Sequence, residues 1–427
     1  MIRLFLCLAI CCLTLTLKAQ KPAKNSTSDL DHLYSILKET PSYKDQIKGS
    51  RKNEYEALYN RLKTESTTAN SDLQQFFLLS QLLMPLKDNH LYFYQSGDPK
   101  LHTKLSDSLF IKNYRSSRQF SEYPHAAVDP DSLTKALENQ PQDSIQGIYH
   151  MGNYFKVGLY RTAKRDSLIG VALETQNPIW DRGQIAFILK EYSPGRFRAF
   201  YSDIVQKTFR LVKNEKFQHR SLTESGWKKF PNEKDHVNLA PKTAVYELKR
   251  LDSNIQYLRL GSFATSTQFL LKSQTFFDAV KDSLTSQNLI VDLRNNGGGG
   301  FKNSGKYLKL LKAYAKHGHI YALINNRTVS NAEQFTIKLK RIKNVTTFGE
   351  TTNGTLTYGN NYGKTETLAS GKFSLYITDM TDAGNYLPYE EAGVSPDHHL
   401  PVSRDWIQQV TDVIKGENKY LNPVHPK

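Results

Sequence analysis

NLIVDLRNNGGGG, residues 288–300, begins the part of the chain that decides the fold. An apolar strand leads there into four consecutive glycines. After a helical segment, IYALINNRTVSNAEQF, residues 320–335, runs from a second apolar strand through a polar turn into a helix that begins near Ser330. Strands and helices alternate throughout residues 247–420. This alternation predicts an α/β core built of crossover units.

The two strand ends carry the residue types that an oxyanion-stabilising hydrolase needs. Glycines allow backbone N–H groups to approach a ligand closely, and a helix N-terminus adds N–H donors and a partial positive charge. Ser330 lies between these features as a candidate nucleophile. Each motif also has a purely structural interpretation, because Ser330 and Glu333 fit a capping box and a glycine run after a strand is commonly a turn. The order of the motifs favours the hydrolase.

The complete order of motifs over residues 255–401 resembles that of a known family. It reads strand, DLRNNGGG, helix, strand, TVSNAE, helix, strand, FGETTNG, and a shorter piece that fits lies near His90. This order resembles the C-terminal processing (tail-specific) proteases, whose relatives include the tricorn core protease and the interphotoreceptor retinoid-binding protein repeats. The resemblance implies a ClpP/crotonase-like α/β core and a serine-type endopeptidase that hydrolyses bonds in peptides or protein tails.

The resemblance also implies roles for individual residues. Ser330 would be the nucleophile. The backbone N–H groups of Asn331 and of Gly298 or Gly299 would stabilise the oxyanion. The loop over residues 351–361, rich in Thr, Gly and Asn, would form a mobile wall of the cleft.

The general base separates two branches of the family. The Ser–Lys branch carries its lysine 25 residues after the serine, and that position is Thr355 here. Lys338 does not replace it, because its separation of eight residues along one helix corresponds to about 12 Å. The tricorn-like branch uses a histidine, and His90 in LKDNHLY matches its place. A neutral imidazole can accept the serine proton near neutral pH.

A third catalytic group is expected from YEEAGVSPD, residues 389–397. This segment resembles the family segment that supplies an acid, which maps onto Glu390, with Glu391 as the adjacent alternative. The acid would orient the site and support the imidazolium that forms during catalysis. Two solvated carboxylates in a loop are the structural alternative.

Residues 1–19 have the pattern of a signal peptide, with Arg3, an apolar run over residues 4–17 and a small residue, Ala19. The run is too short to span a bilayer as a helix. All three cysteines lie within it, so the mature chain would have no disulfide, cysteine nucleophile or thiolate metal site. Lipidation is disfavoured because no small residue precedes the cysteines. We expect an exported protein, periplasmic or extracellular, without an integral membrane segment after cleavage.

The rest of the chain predicts three regions. Residues 29–97 have apolar residues at helical spacing and would form a helical domain that ends at the His90 segment. Residues 144–246 contain short strand-like runs between turns and predict a β-rich domain, in which no PDZ-type carboxylate loop is found. Residues 247–420 would form the α/β peptidase core.

Composition narrows the range of partners. The formal net charge is +16, but the lysines are scattered along the chain, which is typical of a solvated surface and disfavours a nucleic-acid interface. The histidine pairs at residues 317 and 319 and at 398 and 399 lack a third ligand, so neither a metal nor another cofactor is expected. The expected partner is a peptide or protein substrate, and the oligomeric state is not predicted. An alternative function is that of a non-catalytic ligand- or peptide-binding protein on the same fold.

Overall fold

A computed structural model describes residues 26–69, 71–381 and 384–417 of the chain. The predicted signal peptide lies outside the described residues. Within the described ranges, no helix is long and apolar enough to cross a membrane.

Helices and strands follow one another in three blocks along the chain. The helices are α1 (Ser26–Glu39), α2 (Pro41–Gln46), α3 (Ser50–Glu65), α4 (Asp72–Ser80), α5 (Leu101–Lys104), α6 (Ser108–Arg115), α7 (Arg118–Ser121), α8 (Pro130–Glu138), α9 (Thr267–Val280), α10 (Phe301–Tyr314), α11 (Asn331–Lys340) and α12 (Trp406–Ile414). The strands are β1 (Tyr92–Gln95), β2 (Gly147–Met151), β3 (Phe155–Arg161), β4 (Ser167–Thr175), β5 (Ile185–Ser193), β6 (Arg196–Ser202), β7 (Phe209–Gln218), β8 (Ser221–Leu222), β9 (Tyr246–Asp252), β10 (Ile255–Leu260), β11 (Asn288–Asp292), β12 (His319–Ile324), β13 (Val345–Gly349), β14 (Lys364–Thr367), β15 (Phe373–Ile377) and β16 (His398–His399).

The α/β core is a six-stranded sheet in the order β16-β13-β12-β11-β10-β9. All neighbouring pairs are parallel except β9 and β10, which are antiparallel. Successive residues of β11 pack on opposite faces, Leu289 and Val291 against one buried cluster and Ile290 against the other. The predicted alternation of strands and helices is therefore present, with apolar packing on both faces of the sheet.

Parallel pairing places the two predicted motifs side by side. β11 pairs with β12 in a register that sets Asp292 opposite Leu323. The glycine run follows β11, and the turn to Ser330 follows β12. Both loops therefore leave the carboxyl ends of neighbouring strands, which is where open α/β sheets bind ligands.

A second sheet has ten strands and takes them from distant parts of the chain. Its order is β14-β15-β1-β7-β6-β5-β4-β3-β2, with β8 paired to β7. The register sets Tyr92 opposite Tyr376 and Tyr94 opposite Arg210. The strand after His90 and the hairpin β14–β15 thus belong to the same sheet as the predicted β-rich region.

The ten-stranded sheet takes strands from all three predicted regions, 29–97, 144–246 and 247–420. It crosses the boundaries after residue 97 and before residue 247, because β1, β14 and β15 pair with partners far away in sequence. The helical region also shares one buried cluster with it, in which the rings of Phe76 on α4 and Phe93 on β1 stack with centroids 4.9 Å apart. The segment that carries His90 is therefore anchored on both sides by apolar packing.

Candidate active site

Ser330 occupies the N-cap position of α11 in an unusual backbone conformation. Its φ is 59° and its ψ is −124°, a combination that non-glycine residues rarely adopt. The Ser330 N–H is held by two acceptors, the side chain of Glu333 at 3.0 Å and the carbonyl oxygen of Thr355 at 2.9 Å. Such strain persists only where the surroundings determine the geometry, and it is common at active sites.

Glu333 connects Ser330, the candidate nucleophile, to the loop over residues 351–361. Its buried carboxylate accepts hydrogen bonds from the Thr352 hydroxyl at 2.6 Å and from the N–H groups of Gly354 at 2.7 Å and Thr355 at 3.0 Å. Burial raises the pKa of Glu333, and these hydrogen bonds oppose the rise. Residues 352–358 of this loop are buried, and four of them are hydrogen-bonded to the helix that follows Ser330. The mobile wall stays a prediction.

His90 lies beside Ser330 although 240 residues separate them in sequence. Its Nε2 is 3.2 Å from Ser330 Oγ, and its backbone N–H donates to Asp88 Oδ1 at 3.2 Å. Burial lowers the pKa of the imidazole, and the Asp88 carboxylate opposes this by raising it. The lowered pKa favours the neutral imidazole that a general base requires. His90 Nδ1 is buried and has no hydrogen-bond partner among the described residues.

Glu390 contacts the turn that carries His90 and does not bind the imidazole. One carboxylate oxygen accepts from the Asn89 N–H at 2.7 Å, and the other accepts from the N–H groups of Leu356 and Thr357, both at 2.9 Å. Burial, reinforced by the Asp88 carboxylate, raises the pKa of Glu390 to about 7, while the three hydrogen bonds act to lower it. Glu390 therefore holds the backbone next to His90 through Asn89. Its support of the imidazolium stays a prediction.

Glu391, the alternative acid, points towards the ten-stranded sheet. Its carboxylate pairs with Arg198 of β6 at 2.5 Å. Its carbonyl oxygen accepts a hydrogen bond from the Asn214 side chain of β7 at 3.0 Å. Glu391 thus connects its loop to the ten-stranded sheet, and Glu390 is the acid on the His90 side.

The glycine run approaches Ser330 without leaving room for side chains. A Cβ on Gly298 would lie 2.8 Å from Ser330 Cβ, and one on Gly299 would lie 1.9 Å from the carbonyl oxygen of Phe263. The Gly298 N–H donates to Asn296 Oδ1 at 2.9 Å, so it is already engaged. The backbone of Phe263 is hydrogen-bonded to the glycine run: its N–H donates to the carbonyl oxygen of Gly298, and its carbonyl oxygen accepts from the N–H of Gly300. The Gly299 N–H takes no part in this pairing.

Asn331 provides the second candidate oxyanion donor. It is the first residue of α11, so its N–H has no acceptor within the helix. The helix N-terminus adds a partial positive charge at the same point. The geometry therefore favours the N–H groups of Gly299 and Asn331 over that of Gly298.

Thr355, at the position of the lysine of the Ser–Lys branch, and Lys338 are both engaged in other contacts. Thr355 has no amine to offer, and its hydroxyl donates to Asn353 Oδ1 at 2.6 Å. The Nζ of Lys338 lies over the ring of Phe301, 4.4 Å from its centroid. Neither residue provides a base for Ser330.

Sequence analysis did not assign roles to three charged residues near the site, Asp88 in the turn before β1 and Lys213 and Lys216 in the ten-stranded sheet. The fully buried Asp88 carboxylate accepts hydrogen bonds from the backbone N–H of His90 and from the Thr378 hydroxyl, the latter at 2.7 Å. Lys213 and Lys216 of β7 are also buried and reach carbonyl oxygens near the site. Only Asp88 could have been suspected, because it stands two residues before His90; the lysines carry no signal in their local sequence.

Comparison with known proteins supports a peptidase. The pattern of peptidase family S41 matches residues 302–400, a stretch that includes Ser330, Glu333 and Glu390 and begins just after the glycine run. No match to a curated protein is found.

Solved structures of low identity are similar over most of the chain. A lipoprotein from Streptococcus agalactiae is 12% identical with a TM-score of 0.37, covering 95% of this chain and 100% of the other. The photosystem II D1 C-terminal processing protease is 14% identical with a TM-score of 0.36, covering 92% and 98%. The tricorn protease is 12% identical with a TM-score of 0.40, covering 92% of this chain and 36% of that longer chain.

Proposed function

We propose that this chain, which carries a peptidase family S41 domain, is an exported serine endopeptidase that cleaves peptides or protein tails. The single observation that supports this most is the distance of 3.2 Å between Ser330 Oγ and His90 Nε2. A serine and a partly buried histidine, 240 residues apart in sequence, meet at the N-terminus of a helix, which is the arrangement of an activated nucleophile and its base.

In the proposed reaction His90 accepts the Ser330 proton as the oxygen attacks the scissile carbonyl carbon. The negative charge that develops on the carbonyl oxygen is stabilised by the N–H groups of Gly299 and Asn331. His90 then gives the proton to the leaving amine, and an acyl-enzyme on Ser330 remains. Water, deprotonated by His90, hydrolyses this ester and regenerates the serine.

Two carboxylates assist His90 in this proposal without accepting its proton. Asp88 places a negative charge beside the imidazole, which stabilises the imidazolium formed after proton transfer. Glu390 fixes the turn at Asn89 and so orients the ring towards Ser330. The site thus differs from a triad in which the acid binds the second ring nitrogen.

Labelling with a fluorophosphonate probe tests the proposal. The mature protein should react at Ser330, and the site should be identified by mass spectrometry of the labelled peptide. Ser330→Ala should abolish labelling, and His90→Ala should lower its rate by at least about a hundredfold, because general-base catalysis contributes on this scale. A wild-type protein that is folded and unreactive would refute a catalytic role and favour the binding-protein alternative.

A further inference from the structure

Two buried lysines of the ten-stranded sheet reach the two halves of the site. We propose that Lys213 and Lys216 of β7 are positioning residues that hold the base and the nucleophile in register. This inference rests on the proposed peptidase function and adds a role for the sheet outside the α/β core. It carries no assumption about the substrate.

Lys213 holds the turn that carries the base. Its side chain is 4% exposed, and its Nζ donates to the carbonyl oxygens of Leu86 at 2.5 Å and Asp88 at 2.9 Å. These carbonyls belong to the short turn between the helical region and His90. Since the imidazole is only two residues beyond Asp88, a shift of this turn moves the base relative to Ser330.

Lys216 holds the loop that supports the nucleophile. Its side chain is 3% exposed, and its Nζ donates to the carbonyl oxygens of Asn353 at 2.5 Å and Thr352 at 3.2 Å. The same loop gives Ser330 its acceptor at Thr355, at 2.9 Å. A shift of this loop therefore changes the strained backbone of the nucleophile.

A β-bulge explains how both lysines can face the site. Residues three apart on a regular strand point to opposite faces of the sheet. In the pairing of β6 with β7, Phe197 lies opposite Glu215 and Ala199 opposite Val212, so β7 contains one additional residue between the pairs. The bulge shifts the alternation between Lys213 and Lys216, and bulges commonly redirect side chains next to active sites.

Burying the two lysine ammonium groups costs free energy of hydration, so stability alone does not explain them. Both bond to carbonyl oxygens, and burial lowers the pKa of Lys213 to about 8 and also lowers that of Lys216. An apolar side chain of similar volume avoids the loss of hydration that a buried charge suffers. The lysines instead connect two loops from different parts of the chain to one strand, which suits a role in alignment.

Replacement by methionine, which keeps the length and removes the ammonium group, tests this role. Lys213→Met and Lys216→Met should each lower the fluorophosphonate rate and kcat by about 10- to 100-fold with little change in KM, since a misplacement of about 1 Å can lower a rate a hundredfold. Lys207→Met is the matched control. Lys207 is also buried, and its Nζ bonds to Ile179 O at 2.9 Å and Gln184 Oε1 at 2.6 Å, away from the site.

The control separates alignment from general stability. Lys207→Met should lower the melting temperature and leave the rate within about twofold of wild type. A substitution in the core far from the active site changes the stability of the protein and not the geometry of the site. Wild-type rates in both site variants, or an equal loss in Lys207→Met, would overturn the proposal. If a methionine variant does not fold, the leucine variant, which also lacks an N–H donor, is judged by the same criteria.

Hydrogen exchange gives a readout that does not depend on activity. Lys213→Met should raise amide exchange in residues 86–91, and Lys216→Met should raise it in residues 351–356, because each loses its anchor. Unchanged exchange in both segments contradicts the positioning role. An unreactive wild-type protein with these exchange changes would instead refute the proposed function, and the two lysines would then only anchor the two loops.

Discussion

Replacing Gly298 by alanine tests the site where the glycine run approaches Ser330. Gly298 has a φ of 84°, in the left-handed region. An added Cβ would lie 2.6 Å from Val329 O and 2.8 Å from Ser330 Cβ, whereas ordinary contact begins at 3.4 Å. Relieving the contact with Val329 O therefore requires a movement of about 0.8 Å, and relieving that with Ser330 Cβ one of about 0.6 Å, the differences of the two distances from 3.4 Å.

The magnitude of the effect follows from this displacement. A non-glycine residue in this conformation costs about 1–3 kcal/mol of stability. Displacing the nucleophile by more than half an ångström lowers the rate further, because about 1 Å of misplacement can reduce it a hundredfold. We expect kcat to fall by about 10- to 100-fold, with a lower melting temperature and a protein that still folds.

Gly297→Ala is the control for Gly298→Ala. A Cβ on Gly297 would meet no atom within 4 Å, and the residue is exposed. Hydrolysis of a fluorescent casein substrate and the fluorophosphonate rate should be measured for both variants beside thermal unfolding. Equal activity in the two variants would show that the glycine run is only a turn and would refute the reasoning about the oxyanion site.

Further predictions concern the base, its support and export. His90→Ala should remove nearly all hydrolysis of the casein substrate while the melting temperature changes little, and full activity would exclude His90 as the base. Glu390→Gln should lower kcat by about tenfold, less than His90→Ala, because its amide N–H₂ would face a backbone donor; an unchanged kcat would contradict this role. In the Glu390→Gln variant, the fall of kcat/KM at acidic pH reports the titration of His90 alone. The midpoint of this fall should lie below pH 6.5, because burial lowers the imidazole pKa and protonation removes the base. Mass spectrometry of the mature protein should find an N-terminus near Gln20, and an intact Met1 or a lipidated cysteine would contradict the expected export.

The α/β core was the most predictable part of the fold. Its strands are short apolar runs, its helices follow at regular intervals, and parallel pairing of β11 with β12 joins motifs only about 30 residues apart. The proximity of the glycine run to Ser330 follows from this local order. The glycine positions could be read in the same way, because the close approach at Gly298 admits no side chain.

The pairing of β1, β14 and β15 with the β-rich region, and the contacts of the ten-stranded sheet with the site, could not be predicted in this way. β1 is four residues long, and its partner strands contain Tyr376 and Arg210. Because these partners are distant in sequence, no local pattern predicts the pairing. The positions of Lys213 and Lys216 depend on a bulge that only the register reveals. The distinction between Glu390 and Glu391 likewise depends on Arg198, a residue from another strand.

The motif around Ser330 shows why capping and catalysis need not be competing interpretations. Glu333 reaches back to the Ser330 N–H, as a helix cap does, and this bond helps to hold the serine at its positive φ. The same conformation leaves Ser330 Oγ at 3.2 Å from His90 Nε2, at the start of a helix whose first N–H groups are free of intrahelical partners. If Glu333 acts through this geometry, Glu333→Gln should lower the fluorophosphonate rate at Ser330 by more than its effect on thermal stability explains. An equal loss of both would assign the residue to the helix cap alone.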